Sequence, residues 1–243
     1  MINQKKFRPI LNDIATRSFR DVADNDYITA RLCYINRLYP QYIWYSQQSV
    51  EKYLKAILLF NMQSTRKLRH NLEKAYERIT ELIPKLGMEL SDTTVKYIQY
   101  LDTWGENRYF EKAHFISPCN RLDKLDEAVW EIRRYCKYFN KNYESYKLEL
   151  EQAQKATSDQ KVQFITNGIL EKIINNDNHI HHSILLTCNR HFGDFSEEVH
   201  TPLHAINPTQ TLHPEYFEEL NKYIQFPKEV VDTYKEINSH ADL

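Results

Sequence analysis

Apolar residues recur along this chain at intervals of three and four, which is the period of an α-helix. The clearest example lies in residues 41–61, where Val50, Leu54, Ile57 and Leu58 share one stripe. Polar and charged side chains occupy another face of the same segment. This pattern predicts an amphipathic helix that buries its apolar face against neighbouring helices.

The same period continues through the first part of the chain, and suitable residues stand where helices would start or stop. Pro40 can occupy the first turn of a helix, because an N–H at that position has no partner within the helix. Ser91 is suited to cap the start of a later helix, and Gly105 is suited to end it. The predicted helices cover residues 24–38, 41–61, 72–82, 91–105 and 123–155.

The chain after residue 155 is less regular. Helical patterns appear over residues 162–174 and 179–191, and a loop-rich segment follows around residues 193–213. The sequence therefore predicts an all-α protein in two parts, of which the first can bury its own apolar stripes and fold without the second. These parts are a helical bundle at residues 13–155 and a C-terminal helical extension at residues 156–243.

The composition excludes several classes of protein. Only 4 Gly and 8 Pro occur among 243 residues, too few for the frequent turns of an all-β fold. A glycine-rich phosphate loop, as in Rossmann and P-loop proteins, is disfavoured for the same reason. The formal net charge of −1 also argues against a strongly basic protein that coats nucleic acid.

The distribution of apolar residues and cysteines predicts a cytoplasmic protein that does not enter a membrane. The first nine residues are polar and basic, unlike a signal peptide, and the longest strongly apolar run is only Ala56–Phe60. The cysteines are scattered without a CxxC pair, so neither a disulfide framework nor a structural zinc site is expected. The four are Cys33, Cys119, Cys136 and Cys188.

Three short sequences in the first part stand in a characteristic order. They are QQSVEKYLKA at residues 47–56, RHNL at residues 69–72 and NRY at residues 107–109. Together they resemble the HEPN family of small all-α domains, over about residues 13–150. Asn71 stands where the family usually has Asp, and Phe110 where it often has Pro.

The resemblance implies an up-and-down helical bundle that forms homodimers, and it leaves two kinds of function open. One is metal-independent RNA cleavage of a toxin–antitoxin or defence type, carried out by an Arg-x(4–6)-His pair at a dimer cleft. The other is binding of nucleotides or RNA without cleavage, by a non-catalytic interaction module that partners another protein such as a nucleotidyltransferase. Neither activity requires a cofactor.

Arg108 and His114 fit the spacing of the catalytic pair. A histidine can remove a proton near neutral pH, and an arginine can stabilise the charge that develops on a phosphate. Tyr109 and Phe110 point the other way, because an Arg-Tyr step resembles the non-catalytic branch of the family. The sequence therefore predicts Arg108 and His114 as catalytic residues only if the protein is an enzyme.

A second set of residues is expected to bind a nucleotide or RNA. Lys52 and Lys55 lie on the polar face of the helix at residues 41–61, and Arg69 and His70 belong to the densest basic run in the chain. Tyr109, in the Arg-Tyr step, completes the set. The simpler interpretation is that the polar strip is a solvated helix face and that His70 caps or packs against a neighbour.

The histidines of the C-terminal part do not form a convincing metal site. His200 and His204 have a spacing that could place two ring nitrogens on one metal ion. Pro202 lies between them and argues against the helix that this spacing requires. We therefore predict no metal.

Overall fold

The computed structural model describes residues 4–82, 84–105, 122–137 and 168–193, together with residues 231, 232 and 235. Within these ranges every regular element is a helix, so the predicted all-α fold is confirmed. No helix in these ranges is both long enough and apolar enough to cross a membrane. The elements are α1 (Gln4–Ile14), α2 (Asp21–Ile35), α3 (Tyr39–Phe60), α4 (Leu72–Leu82), α5 (Asp92–Gly105), α6 (Leu122–Arg133), α7 (Ile169–Ile174) and α8 (His182–Leu186).

The N-terminal helix is the element that the sequence analysis missed. α1 continues into α2 through a π-helical segment, Ala15–Arg20, in which the N–H of Asp21 bonds to the carbonyl of Thr16. Pro9 lies inside α1, and a proline within a helical pattern normally indicates an interruption. The first helix therefore begins well before residue 24, where the apolar stripe becomes regular.

The boundaries of α3 and α5 follow the predicted start and stop residues. Pro40 lies in the first turn of α3, and Gly105 is the last residue of α5. Ser91 accepts a hydrogen bond at Oγ from the N–H of Thr94 at 3.2 Å, which is the bond of an N-cap. These three predictions are confirmed.

α3 is the central helix of the bundle. It packs against α2 along its length and also contacts α4, α5 and α6. Tyr53, Leu54 and Ile57 are completely buried on it. Burying each large apolar side chain stabilises the fold by about 1.5–3 kcal/mol, so the helix that carries the QQSVEKYLKA sequence is held firmly in place.

The predicted continuous helix at residues 123–155 is wrong at residues 134–137, and the part of it beyond residue 137 lies outside the described residues. α6 ends at Arg133, and the chain turns so that Tyr135 and Cys136 are buried instead of following the helix surface. The Cys136 thiol donates to the carbonyl of Tyr53 at 3.4 Å, and burial raises the pKa of this thiol. The spacing of apolar residues around Cys136 could not reveal this turn, because a buried residue fits the pattern whether the chain continues as a helix or turns into the core.

The helices of the C-terminal extension are shorter than predicted. α7 begins only after Gly168, which is extended, and residues 162–167 of the predicted segment 162–174 lie outside the described residues. α8 covers only part of the predicted segment 179–191. A Cβ atom on Gly193 would lie 2.7 Å from the carbonyl oxygen of Leu186, so the chain passes close to the end of α8. The rest of the predicted loop around residues 193–213 lies outside the described residues.

A buried cation joins the extension to the bundle. Arg133 is completely buried and bonds to Asp24 through Nε at 2.7 Å and Nη2 at 2.8 Å. The same guanidinium reaches Glu171 of α7 at 2.5 and 2.8 Å. Asp24 also accepts the Tyr53 hydroxyl at 2.7 Å, and burial raises the pKa of Tyr53 well above its usual value. One charge network therefore connects α2, α3, α6 and α7.

A second buried pair connects the bundle to α8. Arg31 pairs with Asp126, and its Nε donates to the carbonyl of Ile184 at 2.8 Å. Tyr27 donates to Asp126 at 2.7 Å and accepts a bond from Asn189 at 2.9 Å. Burial raises the pKa of Asp126, and the Arg31 guanidinium opposes that rise.

These contacts change what we expect of a truncated chain. Residues 168–193 supply partners to two buried arginines, and Leu170, Ile173, Leu185 and Phe192 extend the core of the bundle. The division at residue 156 remains a prediction. We now expect the chain that ends there to be less stable than the whole protein, because Arg133 and Arg31 would lose acceptors that they need when buried.

Substitution of Glu171 tests this dependence within the whole protein. We expect Glu171→Ala to lower the free energy of unfolding by about 1.5–3 kcal/mol, the usual contribution of hydrogen bonds to a charged group. Urea unfolding monitored by circular dichroism measures the difference. The matched control is Lys172→Ala on the exposed side of α7, which should stay within about 0.5 kcal/mol. Equal effects of the two substitutions would contradict a stabilising role for the network.

Candidate functional site

The described residues contain four of the seven predicted site residues. Lys52 and Lys55 lie in the second half of α3, and Arg69 and His70 lie in the connection between α3 and α4. The other three, Arg108, Tyr109 and His114, lie outside the described residues. That Arg108 and His114 form a catalytic pair therefore remains a prediction. The site geometry described below is that of α3 and of the connection that follows it.

Glu51 is the centre of the contacts in this region. Its Oε1 pairs with Lys55 Nζ at 2.5 Å, and its Oε2 lies 3.0 Å from Nδ1 of His70. Lys55 also donates to the carbonyl oxygen of Arg69 at 2.7 Å. Three of the predicted residues, Lys55, Arg69 and His70, are thus brought together around one carboxylate. We call these four residues the Glu51 cluster.

The Glu51 carboxylate is more important than the sequence analysis indicated. Glu51 stands four residues before Lys55 on α3, and the i,i+4 ion pair that this spacing allows is present. The Glu51 side chain is only 7% exposed, however, whereas the His70 side chain is 43% exposed. The spacing in the sequence allows the Glu51–Lys55 pair. Nothing local in the sequence shows that the connection between α3 and α4 folds back over α3 and buries Glu51.

Lys52 has partners of its own. Its Nζ bonds to Oδ2 of Asp26 on α2 at 2.5 Å and to Oε1 of Gln48 at 3.2 Å. Burial raises the pKa of Asp26, and the Lys52 ammonium opposes that rise. Lys52 therefore links α3 to α2. It lies on the part of the α3 surface next to the Glu51 cluster.

The connection at residues 61–71, which we call the basic loop, has an unusual backbone. Met62, Lys67 and Arg69 have φ angles of 59°, 70° and 50°, a conformation that residues other than glycine seldom adopt. Each such residue costs of order 1–3 kcal/mol and persists only where its surroundings impose it. Leu68, which is 1% exposed, anchors the middle of the loop in the core.

The anchored loop presents cations to solvent. Arg66, Lys67 and Arg69 are exposed on either side of the buried Leu68. The backbone beside Arg69 is fixed by its bond to Lys55, and His70 is fixed by Glu51. The arrangement can hold an anion without a large loss of backbone freedom, because the loop is already ordered.

The start of α4, beside this loop, is already satisfied by protein groups. Asp102 of α5 accepts the N–H of Leu72 at 2.6 Å, and Asn71 accepts the N–H of Lys74 at 2.6 Å. Asn71, not His70, is thus the residue that caps the helix, and an amide oxygen serves there as a carboxylate would. These two N–H groups are therefore already bonded to protein groups, and the cations near this end are the side chains of the loop.

Gln47 lies one turn before Glu51 on the same side of α3. Its side chain is completely buried, yet neither its amide nitrogen nor its amide oxygen has a hydrogen-bond partner in the described structure. The Nε2 of neighbouring Gln48 also lacks one. A buried group without a partner costs about 1–3 kcal/mol, a cost that an apolar side chain at this position would not have.

Metal binding finds no support in the part of the chain that can be described. These residues contain no group of three or more His, Cys, Asp or Glu side chains arranged to hold a metal ion. His179, His181 and His182 are among them, whereas His200 and His204 lie outside.

Comparison with known proteins gives one match. The model of the HEPN domain family matches residues 16–162. The match spans the QQSVEKYLKA, RHNL and NRY sequences, and it ends close to the boundary predicted for the bundle. No curated protein and no solved structure matches the chain.

The unpartnered amide of Gln47 gives a stability prediction. We expect Gln47→Met to raise the free energy of unfolding by about 1 kcal/mol, because an apolar side chain of similar shape removes the desolvation cost. For a protein of this size that corresponds to a rise in Tm of about 2–4 °C, measurable by differential scanning calorimetry.

The matched control is the same substitution at Gln41, which is exposed on α3. Gln41→Met should change the free energy of unfolding by less than about 0.5 kcal/mol. Marked destabilisation by Gln47→Met would mean that the amide is hydrogen-bonded, for instance to ordered water.

Proposed function

Because the chain belongs to the HEPN family, we propose that it binds RNA or nucleotides through the basic loop and the Glu51 cluster. The observation that carries this proposal is the ordered display of Arg66, Lys67 and Arg69 beside His70. A family known for nucleotide- and RNA-related roles supplies the class of ligand. The geometry supplies a place where phosphates could be held.

The charge of the loop supports this assignment because it is local. The whole chain has 32 Lys and Arg against 33 Asp and Glu, so general attraction to a polyanion is weak. Three cations within four residues make a concentrated positive site. Arginine also offers a planar fork that matches two phosphate oxygens. Binding of this kind would be restricted to a few phosphates.

The lysines of α3 have different roles in the proposal. Lys55 uses two of its N–H groups on Glu51 and Arg69, which leaves the third for a ligand phosphate. Lys52 would contact a ligand only at the expense of its bond to Asp26. We therefore propose that Lys55, Arg69 and His70 bind directly and that Lys52 borders the site, together with Tyr109 from the Arg-Tyr step.

Cleavage of the bound RNA is the stronger form of the proposal. In this form Arg108 and His114 act as the metal-independent pair of an endoribonuclease of toxin or defence type, at the cleft of a homodimer. The alternative is a non-catalytic homodimeric module that partners another protein, such as a nucleotidyltransferase. The two forms differ in whether purified protein degrades RNA in the presence of EDTA.

Salt dependence of RNA binding tests the role of the basic loop. We expect Arg66→Ala and Arg69→Ala each to weaken binding of a single-stranded RNA. Each should reduce the slope of log K against log salt by about 0.7, the value for one lost phosphate contact on a single strand. Fluorescence anisotropy at several salt concentrations measures both quantities.

The control is Lys172→Ala, which removes an exposed positive charge from α7. Its binding curve and slope should match those of the unmodified protein. If Arg66→Ala, Arg69→Ala and Lys172→Ala weaken binding equally, the attraction is general and the basic loop is not the binding site.

The catalytic form predicts that Arg108→Ala and His114→Ala remove RNA cleavage. Loss of an acid–base histidine typically lowers the rate by about 10²–10⁴. The unmodified protein should cut RNA in EDTA and spare DNA of the same sequence, because the reaction uses the 2′-hydroxyl as nucleophile. Gel electrophoresis of labelled strands gives the rates. Equal cutting by the unmodified protein and His114→Ala would contradict this form.

A further inference from the structure

We propose that His70, oriented by Glu51, is a general base for attack of a ribose 2′-hydroxyl on the adjacent phosphate. This inference rests on the proposed binding of RNA at the basic loop. It assigns the acid–base chemistry to a pair that is an alternative to Arg108 and His114, is separate from them in sequence, and lies wholly within the described residues.

The geometry of the pair is that of a histidine held by a carboxylate. His70 Nδ1 lies 3.0 Å from Glu51 Oε2, and the carboxylate is almost fully buried whereas the imidazole is partly exposed. A carboxylate can only accept, so in neutral His70 the ring proton lies on Nδ1. The lone pair is then on Nε2, the atom that a base needs free.

Lys55 completes the orientation of this pair. It binds the second oxygen of Glu51 at 2.5 Å, which fixes the plane of the carboxylate. It also holds the carbonyl oxygen of Arg69, the residue immediately before His70. The imidazole is therefore positioned from two directions, through its own Nδ1 and through the backbone that carries it. Such support is what keeps a catalytic group within reach of its target.

The surroundings of His70 suit a phosphate substrate. Arg69 is adjacent in sequence, and Arg66 and Lys67 occupy the same loop. A ribose phosphate held by these cations would carry its negative charge beside the imidazole. The same cations would stabilise the additional charge of a pentacoordinate phosphorus, which is the usual contribution of fixed positive groups to phosphoryl transfer.

The proposed step is an internal transesterification. His70 Nε2 removes the proton of the 2′-hydroxyl, and O2′ forms a bond to phosphorus as the bond from phosphorus to O5′ breaks. The leaving O5′ takes a proton from water, and protonated His70 returns its proton to the resulting hydroxide. The products are a 2′,3′-cyclic phosphate and a 5′-hydroxyl, with no net gain or loss of protons. No oxidant, reductant or metal is needed.

The competing explanation is that His70 has a purely structural role. Two substitutions distinguish a structural role from a role as general base. In asparagine the amide nitrogen is as many bonds from Cβ as Nδ1 is in histidine, so His70→Asn can keep the bond to Glu51 and lacks Nε2. In glutamine the amide nitrogen reaches the position of Nε2, so His70→Gln loses the bond to Glu51. Neither substitution supplies a base near neutral pH.

The experiment measures single-turnover cleavage of a labelled RNA in EDTA over a range of pH, with RNA affinity and Tm for each variant. We expect His70→Asn to keep the Tm and to lose about 10²–10⁴ in cleavage rate. The lost imidazole contact should weaken RNA binding by no more than about threefold, because Lys55 and the cations of the basic loop remain. The acid limb of the pH–rate profile should disappear. The matched control is His182→Asn, because His182 also pairs with a carboxylate, that of Asp177, at 3.3 Å.

Each other outcome has a defined meaning. If the unmodified protein binds RNA at the basic loop without cutting it, the role of His70 as a base is overturned and the binding proposal stands. If RNA does not bind, both proposals fail. If His70→Asn cuts RNA at the rate of the unmodified protein, the inference is overturned. It is also overturned if only His70→Gln loses cleavage rate and its Tm falls as well, because that combination indicates a structural role for His70.

Discussion

A completely buried arginine controls how the helices of this protein fit together. Arg133 cannot be buried without acceptors, and it finds them in Asp24 from α2 and Glu171 from α7. Asp24 in turn accepts the Tyr53 hydroxyl, so the network also fixes the rotation of α3 about its axis. Arg31 and Asp126 repeat the arrangement beside α8. The positions of four helices and of the C-terminal extension therefore depend on satisfying two buried cations.

The fixed rotation of α3 has a consequence for the proposed site. Tyr53 faces the buried network, and Glu51 lies on the opposite side of the helix, where the basic loop returns to it. One helix thus carries a structural ion network on one side and the Glu51 cluster on the other. The strained loop backbone at Lys67 and Arg69 is compensated by the bonds that Glu51 and Lys55 make to it. Stability on one side supports a preorganised site on the other.

Local signals in the sequence were enough for the helical fold and the family. Pro40, Ser91 and Gly105 act by backbone chemistry within one turn, so their roles could be predicted. Two partners of Asp24, the Arg133 guanidinium and the N–H of Ile169, lie 109 and 145 residues away in sequence, and no short-range pattern identifies them. The same limit applies to the burial of Glu51 and Gln47, which depends on what packs over α3. Arg108 and His114, predicted from the family's Arg-x(4–6)-His pair and the chemistry of the two side chains, remain predictions.

The most direct test of the account follows the backbone amides of the ¹⁵N-labelled protein by NMR while a short single-stranded RNA is added. We predict that the largest shifts occur at residues 66–70 and at Lys55, with the imidazole signals of His70 moving in the same titration. Residues of α7 around Glu171 should change little, because they lie on the other side of α3. Saturable RNA binding that leaves residues 66–70 unshifted would contradict the claim that the basic loop and the Glu51 cluster form the site.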